Sequence, residues 1–122
     1  MSKVVLNDQE RKEFFKKFLD AINYSGEKNL LPDFLIDFLS QTELDSLIKR
    51  LEVFKRLHSG HSYARVNQEL SVSPITASKV SRSLRDASDK FRQLLDDLSE
   101  EMPKTVPKEP EEKDNKRSSY LG

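Results

Sequence analysis

Between Ser71 and Arg85 the sequence reads SVSPITASKVSRSLR, a run with six hydroxyl side chains, three cations and no acid. Hydroxyls both donate and accept hydrogen bonds, whereas Lys and Arg donate only and carry charge. Such a set suits anionic oxygens and surfaces rich in acceptors. It does not suit nucleophilic catalysis, because no histidine or carboxylate stands among these serines to activate one, and the chain has no cysteine. Other chemistry-bearing residues point to nothing catalytic. His58 and His61 flank Gly60 without a cysteine or carboxylate in ligand spacing, so they read as ordinary partly exposed histidines and no metal site is expected. Asp96, Asp97, Glu100 and Glu101 fall at the end of an amphipathic stretch and read as a solvated face. With no glycine-rich phosphate loop and no nucleophile elbow, an enzyme is not expected.

The elements that would position the hydroxyl-rich run are helical. There is no sustained alternation, no Asn-Gly hairpin turn and only three glycines, while apolar residues recur at helical spacing. Asn7 and Glu10 form a capping box ahead of a stripe of Phe14, Phe15, Phe18, Leu19 and Ile22, with a stop expected at Tyr24-Ser25-Gly26. Pro32 opens a short helix, through Leu39, that is apolar on most sides and so calls for burial or a subunit partner. Ser40-Gln41-Thr42-Glu43 starts the longest helix, carrying Leu44, Leu47, Ile48, Leu51, Phe54 and Leu57 up to Gly60. Ser62 caps a helix through about Leu70, with Val66 and Leu70 inward. Ser71-Val72-Ser73 then turns the chain, and Ser73 caps a helix whose first residue is Pro74. A last helix starts near Asp86 or Ser88, with Phe91, Leu94, Leu95 and Leu98 on one face, and ends near Met102. The remainder, residues 103–122, is proline-rich, charged and poor in apolar residues, which predicts a disordered tail.

Two short helices joined by about three residues, over residues 62–85, follow the helix-turn-helix plan, in which the second helix enters the DNA major groove. On that second helix Ala77, Val80 or Ser81, and Leu84 can face inward. Ile75, Thr76, Ser78 and Lys79 then face outward to read the groove, while Arg65, Ser73, Arg82 and Arg85 hold phosphates. Charge supports this placement. Residues 49–85 hold eight cations against two acids, an excess of +6, and residues 86–101 hold two cations against six acids, −4, although the whole chain is formally neutral.

Absence of cysteine and of an apolar leader or an 18-residue apolar span predicts a soluble, cytoplasmic protein without a membrane partner. The 122 residues fit one helical domain over 1–102 plus the tail.

The run FLSQTELDSLIKRLEVFKRLHSGHSYARVNQELSVSPITASKVSRSLR, Phe38 to Arg85, resembles the core of the Trp repressor superfamily. Its most specific portion contains the pattern LxxRLxVxxxLxxG at Leu47 to Gly60, and the likeness extends from about Glu10 to Leu98. RLEVFKRLHSGHSY, Arg50 to Tyr63, is most similar to the Trp-repressor-related YerC/YecD-type branch. The resemblance implies a six-helix all-α fold and an intertwined homodimer, into which the helix at Leu31 to Leu39 and the Phe stripe would fit. It also implies a tryptophan pocket between the long helix and the second helix of the helix-turn-helix. There Arg50 aligns with the arginine that meets the ligand carboxylate, Lys79 with the arginine that stacks on the indole, and Val80 with a glycine. Lysine lacks the planar guanidinium, and valine puts two methyls where the ring would lie. Neither a cofactor nor tryptophan as co-repressor is therefore expected.

The function expected is sequence-specific recognition of double-stranded DNA by a homodimeric transcriptional regulator, a repressor by family, not gated by tryptophan. Two alternatives stand beside it: an interaction module that has lost DNA binding and meets an acidic protein through the basic face, and a tryptophan-responsive repressor.

Overall fold

Six helices and no strand make up the computed structural model of the chain, which describes residues 5–101: α1 (Asp8–Glu27), α2 (Leu31–Phe38), α3 (Gln41–His58), α4 (Tyr63–Leu70), α5 (Pro74–Arg85) and α6 (Asp89–Glu101). The tail expected at 103–122 lies outside the described residues. The chain divides into two compact units at the Gln41/Thr42 junction.

In the first unit, α1 opens with the capping box that the sequence announces: the Glu10 amide donates to Asn7 Oδ1 at 2.8 Å and the Asn7 amide donates to Glu10 Oε1 at 3.1 Å. The stop expected at Gly26 does not occur there. The helix continues to Glu27, with the buried Ser25 donating its hydroxyl to the Ala21 carbonyl at 2.8 Å, and the left-handed residue that ends it is Asn29, at φ +60°. Asparagine tolerates this conformation, and the amides of Lys28 and Leu30 close the end on the Tyr24 and Ser25 carbonyls. Pro32 sits in the first turn of α2, as its missing amide allows. Phe34 and Phe38 stack at 5.1 Å, and Phe18 of α1 meets Phe38 at 6.0 Å. Much of the Phe stripe of α1 nonetheless lies open: Phe14, Phe15, Phe18 and Leu19 are all exposed, Phe15 at 58%.

The second unit has its own core. Val53 and Phe54 of α3, Val66 of α4, Val72 of the turn, Ala77 and Val80 of α5 and Leu95 of α6 form one buried cluster, with Leu57, Leu70, Leu84 and Phe91 packed against it. Phe54 and Phe91 meet edge to face at 5.2 Å, one of the favoured aromatic geometries. The long helix corrects the sequence reading in one respect. Leu44, Phe54 and Leu57 turn inward, but Leu47, Ile48 and Leu51 are exposed, and the most deeply buried position is Val53, at 1% exposure. Gly60 ends α3 at φ +96°, where a side chain would be strained, and the His61 amide donates to the Arg56 carbonyl at 3.0 Å.

Candidate nucleic-acid interface

The helix pair α4–α5 is set by short-range chemistry. Ser62 Oγ accepts the Arg65 amide at 3.1 Å and starts α4. At its other end Ser71 takes the left-handed conformation, φ +56°, and its amide donates to the Asn67 carbonyl at 2.8 Å. Asn67 then donates its side-chain amide to the Val72 carbonyl at 2.7 Å, while the Val72 side chain plugs into the core. The turn is thus pinned both by a polar staple and by an apolar anchor. A third tie comes from α6, where Arg92 donates to the carbonyls of Leu84 and Arg85 at 3.1 and 2.7 Å and so satisfies the C-terminal end of α5. Ser88, just before α6, accepts the Phe91 amide at 3.2 Å.

On α5 the inward residues are Ala77 at 0% and Val80 at 2%, with Leu84 half-buried. Ile75, Thr76, Ser78, Lys79, Arg82 and Arg85 are exposed, so the side chains that the sequence singles out share the open side of one short helix. Within α5 three cations stand without an acid. Ser73 is engaged differently from its expected role as a phosphate holder. Its Oγ accepts the Thr76 amide at 3.2 Å and donates to Thr76 Oγ1 at 3.1 Å. Both hydrogen bonds of the Ser73 hydroxyl thus go to Thr76, one as cap acceptor to its amide and one to its side chain, and they close the first turn of α5.

Arg65 is exposed on α4, but its Nε donates to Glu69 at 3.1 Å, and Glu69 also receives Arg56 of α3. The Arg65 guanidinium, followed by Arg56, holds the Glu69 carboxyl below its ordinary range. Glu52 pairs with Lys55 at 3.2 Å and with Arg56 at 3.6 Å. Sequence reasoning missed this network and also missed the partner of His58, whose Nε2 lies 2.7 Å from Asp96 of α6. A carboxylate in contact across two helices but 38 positions on in sequence gives no local signal. Among the described residues no group of three or more His, Cys, Asp or Glu could hold a metal ion.

Between α3 and α5 lies a cleft of about 270 Å³ with Val53, Val72 and Val80 on its floor and Lys49, Arg50 and Thr76 on its walls. Of the three residues aligned with a tryptophan pocket, Arg50 and Val80 line the cleft and Lys79 does not. Arg50 rests its guanidinium over the Phe54 ring at 5.0 Å, a cation–π contact internal to α3.

An all-helical chain with an open, cationic second helix behind a pinned three-residue turn is the framework of a helix-turn-helix protein. The chain belongs to the family described as "Trp repressor protein", which it matches over residues 13–99, more than half of its length. It is 34% identical over 67 residues to "Uncharacterized protein YerC" of Bacillus subtilis (strain 168), a match that takes in 55% of this chain and 64% of that relative. No solved structure gives a significant match. The resemblance noted in the sequence thus holds for the family and for the YerC-type relative. Among the described residues no helix is long and apolar enough to cross a membrane.

Proposed function

We propose that the protein is a sequence-specific double-stranded DNA-binding transcriptional regulator, a repressor acting as a homodimer, with α5 as the recognition helix. The observation that carries this reading is the division of α5 into a buried side, Ala77 and Val80, and an open side with three cations, several hydroxyls and no acid. A helix anchored from beneath and presenting donors outward is what reading a groove requires. Ile75, Thr76, Ser78 and Lys79 read bases in this assignment. Arg82 and Arg85 hold phosphates, joined by Arg65 through the guanidinium nitrogens not given to Glu69, whereas Ser73 serves as the cap. A homodimer supplies the second half-site, and the exposed apolar residues of α1 and of α3, Leu47, Ile48 and Leu51, give a second copy something to cover.

Binding proceeds without tryptophan in this reading. Val80, in the place aligned with glycine, lines the cleft beside Arg50 with a β-branched side chain where an indole ring would lie. The discriminating experiment is fluorescence anisotropy of the full chain on specific and random duplexes at several salt concentrations. Lys79→Ala should relax preference at one or two base positions, by about 1–3 kcal/mol. Arg85→Ala should weaken all duplexes alike and reduce the slope of log K against log salt by about one. Curves for both variants that match the parent at every salt concentration would refute the assignment.

A further inference from the structure

The open side of α5 has one feature that charge and hydrogen bonding leave unexplained. Ile75, second residue of the helix, is 70% exposed and stands beside the exposed ring of Pro74, with polar or charged residues at Thr76, Ser78 and Lys79 around it. Single apolar residues on a surface need no account by themselves. This one differs in how firmly it is held. The Ser73 cap, the fixed φ of Pro74 and the burial of Ala77 and Val80 fix the backbone beneath it. A β-branched side chain adds a stiff χ1, so its methyl groups are presented in a set position at little entropic cost. Ser78 and Lys79 follow at three and four residues, on the same face, and neither α5 nor its N-cap carries an acid. An apolar point within a ring of donors and cations is complementary to a surface that is anionic, rich in acceptors and marked by an isolated methyl group. In duplex DNA that surface is the major groove, and the methyl is the one on C5 of a pyrimidine.

We infer that Ile75 is a specificity-determining residue that makes binding depend on a pyrimidine 5-methyl group, carried by thymine or by 5-methylcytosine, at one base pair of each half-site. The inference rests on the DNA-binding reading given above and refines what α5 recognises. It makes cytosine methylation of the bound site a second determinant of affinity, because the modification places the same methyl at the same edge of the groove. Thr76, exposed beside Ile75, places the adjacent hydroxyl within the same surface.

The test uses the intact protein and a duplex recovered by selection from a random library. Each thymine in turn is replaced by uracil, which removes only the methyl, and each cytosine by 5-methylcytosine, which adds only the methyl. Loss of about fourfold per half-site is expected for uracil at one symmetric pair of positions, or an equal gain for 5-methylcytosine, in keeping with burial of one methyl group. The thymine–uracil comparison assigns the first source and the cytosine pair the second. In Ile75→Ala the difference between methylated and unmethylated duplexes should disappear, while circular dichroism and thermal unfolding stay those of the parent, since the side chain contributes little to the core. Tight binding that is indifferent to the methyl at every position, or a methyl effect that persists in Ile75→Ala, overturns the inference. Failure to recover any preferred duplex would instead refute the DNA-binding reading on which it rests.

Discussion

Replacing Ser73 separates the cap of the recognition helix from its DNA-facing surface. In the parent its Oγ takes the Thr76 amide proton at 3.2 Å and gives its own proton to Thr76 Oγ1 at 3.1 Å. Ser73→Ala removes both bonds and exposes the first turn of α5 to fraying. The cost of losing a serine N-cap is about 1 kcal/mol, which for a domain of this size lowers Tm by about 4–8 °C. Ser73→Asp should restore the parent Tm, because aspartate caps as well as serine and its charge favours a helix N-terminus. DNA binding should change in the opposite order. At low temperature, where the alanine variant is fully folded, its affinity should stay within about threefold of the parent, since no outward hydrogen bond was lost. The aspartate variant should bind at least about tenfold more weakly, its new charge facing phosphate. Thermal unfolding by circular dichroism and anisotropy on one duplex measure both. Should Ser73→Ala leave Tm unchanged yet lose more than about tenfold in affinity, as expected for a broken bond to a charged group, the hydroxyl is a phosphate ligand and its assignment as a cap is wrong.

Two further outcomes follow from the side-chain geometry. Arg65 and Arg56 hold the Glu69 carboxyl below its ordinary value of 4.5, so the pairing stabilises the fold above that pH and is lost as the pH falls through the lowered value; the Tm gap between parent and Glu69→Gln should hold steady at neutral pH and close on acidification below about 4.5, and a gap that persists in acid would contradict the assignment. Tryptophan in large excess should produce no saturable heat in calorimetry and leave DNA affinity unchanged, whereas saturable heat that vanishes in Arg50→Ala would show that the cleft beside Val80 opens to a ligand.

Local chemistry carried most of what could be read from the chain. The Asn7–Glu10 box, the Ser62 and Ser73 caps, Pro74 and the φ of Gly60 depend on residues within three or four positions of one another, and each falls where the sequence places it. The two sides of α5 were legible for the same reason, since a helix of known start has a known phase. What was not legible depends on partners distant in sequence. Leu47, Ile48 and Leu51 carry the apolar spacing of a core and are exposed, while Val53, off that stripe, is buried. Periodicity shows that a face is apolar but not whether the same chain covers it. α1 runs past Gly26 to Glu27, and the left-handed turn that follows falls on Asn29, with the Leu30 amide closing on the Ser25 carbonyl. The pairing of His58 with Asp96 and the sharing of Glu69 by Arg56 and Arg65 join separate helices, and only the folded chain brings them together.

Selection of the full chain against a random duplex library bears most directly on the central claim, that the open side of α5 reads base sequence from a two-fold symmetric protein. The result predicted is a palindromic motif whose half-site centres lie about one helical turn apart, 10–10.5 base pairs or a multiple of it. A pool that shows no enriched motif after repeated rounds would contradict the account.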